Sequence, residues 1–215
     1  AQGRIAGILA KQGKLEEGRA LLHSIQPQTM QQRVQLTQAE AGILREATAY
    51  KEAFDLLGQA VEKLPNVPDL LYDYAMAAEK VDRLDVLETN LRKLIELRPD
   101  HAHAYNALGY TLADRTDRLQ EAHELIDQAL KLSPDDPFIQ DSMGWVLYRL
   151  GRIDEGREYL EKAFKRRPDP EIAAHLGEVL WVQGRHDEAR RVWQSTLKEH
   201  PGNATLQAVI KKYAQ

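Results

Sequence analysis

Apolar residues recur along this chain at spacings of three and four, in short segments separated by small or turn-forming residues. Leu108 and Leu112, then Met143 and Leu147, mark one face of a first helix, while Ala122, Ile126 and Ala129, then Leu160, Ala163 and Phe164, mark one face of a second. Such spacing belongs to the 3.6-residue period of an amphipathic helix and not to the two-residue alternation of a strand. The helices come in pairs, and the pairs come at a fixed interval. Pro65, Pro99, Pro134, Pro168 and Pro201 step by 34, 35, 34 and 33 residues. A period in the low thirties holding two helices predicts a stacked array in which each unit touches only its neighbours.

The period divides the chain into units at 1–33, 34–67, 68–101, 102–136, 137–169 and 170–202, with a terminal helix at 203–215. Small residues at Ala41, Ala75, Gly109, Gly144 and Gly177 are expected where the two helices of a unit approach closely. Gly13, Gly151 and Gly184 fall between the helices, where a left-handed residue ends the first one. Thr48 and Asp82 stand at that point in two units, so their turns are expected to differ. The 35-residue step places one extra residue in the turn Arg115–Arg118. Asn203 offers an N-cap to the last helix, whose Leu206, Val209, Ile210 and Tyr213 share one face with Lys211 and Lys212 turned away, as a solvating cap would have them. At the other end Ile5, Ile8 and Leu9 present an apolar edge. This edge predicts further repeats before Ala1, and it is also a surface for self-association.

Composition narrows the function by exclusion. Charged residues make up 29% of the 215 residues and the net charge is −4, with no basic stripe of the kind nucleic acid requires. Cysteine is absent, so disulfides, thiolate metal sites and a cysteine nucleophile are excluded. No stretch approaches 18 uninterrupted apolar residues, the length of a membrane span. Neither H-E-x-x-H nor G-x-S-x-G occurs, and each glycine belongs to the repeat or to a turn. The seven histidines read as scattered surface residues, so no catalytic, metal or cofactor site is expected.

First-helix side chains that do not pack the pair should line a groove. The period assigns to it Tyr72, Asp73 and Met76 of the third unit, Asn106 and Tyr110 of the fourth, Asp141, Trp145 and Tyr148 of the fifth, and Trp181 of the sixth. Gln38, Gly42 and Arg45 hold the matching phase in the second unit. Large rings interleaved with carboxylates form a binding face for a basic or neutral segment, because aromatic side chains bury much area with few rotatable bonds. Each ring could instead fill a gap in the stack. Trp193, at a second-helix core position, is expected to be packed.

Aligned in this way, the units resemble the tetratricopeptide repeat. The match rests on Tyr105, Leu108, Gly109, Leu112, Ala122, Ile126, Ala129 and Pro134, on Met143, Gly144, Leu147, Gly156, Leu160, Ala163 and Pro168, and on Leu176, Gly177, Leu180, Ala189, Trp193 and Pro201. The resemblance implies an all-α fold, a right-handed superhelix of helix-turn-helix repeats (an α-solenoid), and a non-catalytic adaptor binding proteins or peptides on its concave wall. Lys and Asn of the carboxylate clamp known in chaperone-binding members are replaced here by Asp69, Asp73, His103, Ala107 and Asp141 or Ser142, which would repel a carboxylate or ignore it, so no such clamp is expected. The runs Asn106–Tyr110, Pro134–Pro137 and Asp141–Trp145 are similar to the C-terminal repeats of proteobacterial outer-membrane lipoproteins of this family. That similarity implies a place on the periplasmic face of the outer membrane and delivery of cell-wall hydrolases to a carboxy-terminal processing protease; without it a cytoplasmic adaptor is the expectation. The alternative is a substrate-selecting arm of a larger enzyme such as a glycosyltransferase.

Overall fold

The computed structural model describes residues 2–213, which form helices joined by short turns. The chain divides into two compact units, Ala1–Pro99 and Asp100–Gln215. In the first, α1 (Gln2–Lys11) pairs with α2 (Leu15–His23), α3 (Met30–Glu46) with α4 (Tyr50–Lys63), and α5 (Pro68–Lys80) with α6 (Leu84–Leu97). In the second, α7 (Ala102–Arg115) pairs with α8 (Leu119–Leu132), α9 (Pro137–Arg149) with α10 (Ile153–Arg166), and α11 (Pro170–Val182) with α12 (His186–Glu199), followed by α13 (Ala204–Tyr213). Within each unit the first helices of successive pairs pack on one another, α1 on α3 on α5, and α7 on α9 on α11 on α13. In each unit they form the layer to which the sequence assigns that unit's groove residues.

The small residues sit where helices touch. A Cβ on Gly144 would lie 2.5 Å from Leu160 Cγ and 2.8 Å from the Gly156 carbonyl, so α9 and α10 can meet only with hydrogen there. At Gly177 a Cβ would strike the Trp193 indole, which is buried as expected. The inner helices α1, α3, α5, α9 and α11 stop in the same way. After α9, Gly151 takes φ 80° while Arg152 N–H donates to the Leu147 carbonyl and Gly151 N–H to that of Tyr148. Both bonds satisfy carbonyls that the helix end leaves open.

Thr48 (φ 59°) and Asp82 (φ 58°) adopt this same left-handed conformation, so their turns match those of the glycine units instead of differing. The helix-ending bonds recur there, Ala49 N–H to Leu44 and Arg83 N–H to Ala78. These bonds fix the local geometry, and the Cβ costs about 1–2 kcal/mol in it. The extra residue of the fourth unit lies in α7 and not in the turn: α7 has 14 residues where α5, α9 and α11 have 13. It exits through extended Thr116, whose Oγ1 donates to the Leu112 carbonyl at 2.6 Å.

Other helix starts are set by side chains. Asp136 and Asp169 cap α9 and α11 ahead of Pro137 and Pro170, and proline needs no amide partner in the first turn. Asn203 Oδ1 accepts from Leu206 N–H at 2.8 Å and starts α13, which buries Leu206 completely. Burying one leucine stabilises by about 1.5–3 kcal/mol, and Val209, Ile210 and Tyr213 of the same helix pack beside it on the cluster that holds Leu180 and Trp193. The first helix pair departs from the pattern. α3 begins at Met30, inside the stretch assigned by the period to the first repeat, and α2 stops at His23.

Candidate functional site

The inner helices of residues 100–215 bring three of the expected groove residues together around one that sequence had placed on the surface. His175 of α11 is half-buried, its side chain 14% exposed, and is not scattered on the exterior. Its Nδ1 lies 3.0 Å from both Asp141 carboxylate oxygens, and its Nε2 is 3.4 Å from the Tyr110 hydroxyl. The imidazole stacks on the Trp145 ring at 4.3 Å between centroids and 23° between planes. α7, α9 and α11 thus each contribute a group to one rigid cluster. Burial opposes a charge on His175, but the Asp141 carboxylate and its hydrogen bond, with Glu171 and Asp114 farther off, outweigh it and hold the pKa above the usual 6.5. The one signal in the sequence was that His175 follows Asp141 by 34 residues, a repeat length.

This pairing alters two expectations for the groove. Asp141 is 6% exposed and already compensated, so it does not form an acidic edge. Trp145 is 8% exposed and lies behind the surface instead of on it. Its helical phase is that of the inner face, and the imidazole of the neighbouring helix covers it. Trp145 Nε1 and Asn106 Oδ1 are buried polar atoms without a protein hydrogen-bond partner. Tyr148, 5.3 Å from Trp145, and Tyr110 are half-buried and keep part of their rings at the surface. Burial raises the Tyr148 phenol pKa, with Glu178 adding to the effect.

Trp181 belongs to a different assembly. It stacks on His186 at 4.2 Å and lies 5.8 Å from Trp193 and 5.7 Å from Tyr213, with the Arg190 guanidinium 5.1 Å from its ring. Lys212 of α13 reaches Glu178 at 3.1 Å and helps hold the cap over this aromatic group. Trp181 is therefore half-buried among rings and closes the end of α11.

In residues 1–99, Tyr72, Asp73 and Met76 are half-buried on α5. Gln38 Nε2 donates to Asp73 Oδ2 at 2.7 Å. Burial raises the Asp73 pKa, and the Gln38 bond and the Arg45 charge offset part of that rise. Gln38 to Asp73 and Asp141 to His175 are the same rung in two places, linking successive inner helices in each unit. Among the described residues no group of three or more His, Asp or Glu could hold a metal ion, and no helix is long and apolar enough to cross a membrane.

Comparison with known proteins agrees with the helical-repeat fold. The sequence pattern of the tetratricopeptide repeat matches residues 88–137 and 142–204. A TPR repeat-containing protein of Pseudomonas aeruginosa is 43% identical over 175 residues, which cover 81% of this chain and 30% of that protein. The chain thus spans about a third of that relative's length. Human protein arginine N-methyltransferase 9 is 38% identical over 77 residues, 34% of this chain and 9% of the enzyme. The crystal structure of a thermophilic TPR protein from Thermus thermophilus superimposes with a TM-score of 0.72 at 23% identity, over 81% of this chain and 95% of that one. The last likeness speaks for the fold alone.

Proposed function

The chain belongs to the tetratricopeptide repeat family, and from that premise we propose that it is a non-catalytic adaptor holding a partner segment against the inner helices of residues 100–215. The observation that carries this reading is the composite face of α7 and α9. Tyr110 and Tyr148 present partly open rings, while Trp145, His175 and Asp141 fix the layer beneath them. Rigid, half-buried rings lose little entropy on binding and favour partner contact. Asn106, one helical turn before Tyr110, is half-buried and its Oδ1 lies beneath the surface. Among the expected groove residues, Tyr110 and Tyr148 are assigned to contact, with Trp145, Asp141 and Asn106 as support. Tyr72, Asp73 and Met76 offer a second face, and Trp181 anchors the cap.

The proposal extends to the pathway implied by the likeness to outer-membrane lipoproteins of the family. In that setting the adaptor gathers cell-wall hydrolases and a carboxy-terminal processing protease at the periplasmic face of the membrane. A second reading, a repeat arm within a larger enzyme, is favoured by the 77-residue similarity to a methyltransferase. A catalytic domain in the same natural polypeptide would decide for it.

Affinity capture from the source organism, read by mass spectrometry, tests the first reading. The double variant Tyr110→Ala, Tyr148→Ala should lose at least tenfold in capture, about 1.4 kcal/mol. Ile126→Val, a core change in α8 costing about 0.5–1.5 kcal/mol, should retain it. Equal loss in both variants would reduce the rings to structural elements. Enrichment of a processing protease and hydrolases supports the pathway, and their absence among otherwise specific partners removes it while leaving the adaptor.

A further inference from the structure

His175 joins three inner helices through the two nitrogens of one ring. Nδ1 stands 3.0 Å from both carboxylate oxygens of Asp141 on α9, and Nε2 stands 3.4 Å from the Tyr110 hydroxyl on α7, a long bond. An ionised carboxylate can only accept, so Nδ1 keeps its proton whether the imidazole is charged or neutral. The second proton is therefore gained and lost at Nε2, beside Tyr110. In the charged ring Nε2–H donates to the phenol oxygen. In the neutral ring Nε2 offers a lone pair, and the phenol O–H must donate to it. One proton thus reverses the bond between α11 and α7.

The same proton sets the charge balance beneath the face. Tyr110 and Asp114 face the ring from α7, Asp141 from α9 and Glu171 from its own helix, and the charges among them are all negative. Two cations of the neighbouring helices are engaged elsewhere: Arg149 of α9 donates from Nη1 to the Ala113 carbonyl at 2.7 Å, and Lys212 of α13 pairs with Glu178 at 3.1 Å. Loss of the imidazolium therefore leaves the nearly buried Asp141 carboxylate without its countercharge. The change reaches both contact rings. Tyr110 bonds the imidazole directly, and Trp145, stacked on it, lies 5.3 Å from Tyr148.

We propose that His175 is the positioning residue of the partner face, a latch set by one proton: the imidazolium holds Tyr110 and Tyr148 in the arrangement that a partner binds, and the neutral ring releases them. Capture through this face then weakens as pH rises, and partner binding in turn favours the proton on His175, because linkage is reciprocal. Burial opposes the charge but Asp141 outweighs it, so the change falls above pH 6.5. The inference rests on the reading of residues 100–215 as the binding face and adds the group that governs it. His175 acts through Tyr110 and Trp145 and touches no partner itself.

Two measurements on the full chain test the latch, the first without any partner. In an NMR titration from pH 5.5 to 9, the His175 Nε2 resonance should move from its imidazolium toward its imidazole position while Nδ1 stays protonated. The ring carbons of Tyr110 and Tyr148 should follow with the same midpoint. That step should vanish from both tyrosines in His175→Gln, or in His175→Asn if the longer amide does not fold. In the second measurement, proteins captured from the source organism are compared at pH 6.5 and 9. The parent chain should lose about fivefold or more in capture, and the amide variant should hold a ratio near one. Titrations of the partners themselves enter both chains equally, so the difference between the two ratios belongs to His175. Titration at Nδ1, or titration of His175 with both tyrosines unmoved, would overturn the latch. Capture that depends on Tyr110 and Tyr148 but has the same pH ratio in parent and variant overturns it too, and leaves the binding face standing. Capture that does not depend on those two rings removes the face and the role of His175 in binding together.

Discussion

His175 shows how a single residue converts the repeat into a fixed charge pair. Burial works against the imidazolium, but Asp141 at 3.0 Å, helped by Glu171 on its own helix and Asp114 on α7, raises the folded pKa above 6.5. A raised folded pKa means that the pair's contribution is complete below pH 6.5 and is lost as pH rises through the folded value. Thermal melts from pH 5.5 to 9 should therefore show stability falling toward alkaline pH, and His175→Gln should flatten that slope. An unchanged slope would show that the pair does not stay charged in the fold. His175→Ala should cost about 3–5 kcal/mol, because it leaves a nearly buried carboxylate without its partner. The helical phase of Asp141 and Trp145 was legible in the sequence, since it depends only on the 3.6-residue period. The sequence could not show that the ring one repeat later covers both, because the offset between neighbouring helices is a property of their packing.

The helices themselves were largely legible, and the departures from the regular pattern have local causes. α4, α6, α8, α10 and α12 each have 14 residues, while α2 has nine. Pro27 lies where the last turns of a full-length α2 would run, and proline removes a helix bond and clashes with the preceding turn. The chain recovers by starting α3 early at Met30. Thr29 Oγ1 accepts from Gln32 N–H at 3.1 Å and Gln32 Oε1 accepts from Gln28 N–H at 2.7 Å, so both ends of the turn are satisfied reciprocally. The Thr-x-x-Gln spacing was present in the sequence, but the proline interval, counted from Pro65, masked it. Thr29→Ala should cost about 1 kcal/mol. Hydrogen exchange should accelerate at residues 30–33 and stay unchanged in residues 100–213; unaltered exchange at 30–33 would mean that the loop, not the cap, starts this helix.

Across the whole chain, stability should follow the repeat order, because a repeat array gains its stability from each unit and from contacts with immediate neighbours. α1 buries only Ala6 and leaves Ile5 49% and Ile8 57% exposed, whereas nine of the 13 residues of α9 are buried. α13 lies between these cases, with Leu206 fully buried and Tyr213 against Trp193. Opening free energies scale with the buried apolar contacts that each segment must give up. Hydrogen-exchange mass spectrometry should accordingly find α1 exchanging before α5 within residues 1–99, and α13 before α9 within residues 100–213. Repeating the measurement over a hundredfold range of protein concentration distinguishes an intrinsic edge from an associating one. Protection of α1 that rises with concentration means that Ile5 and Ile8 are covered by a second copy. Protection that stays low throughout means that the edge remains open, and Ile5→Gln with Ile8→Gln should then leave the exchange of α5 and α9 unchanged. If α1 is as protected as α9 even at the lowest concentration, nearest-neighbour packing does not govern the order of opening in this array.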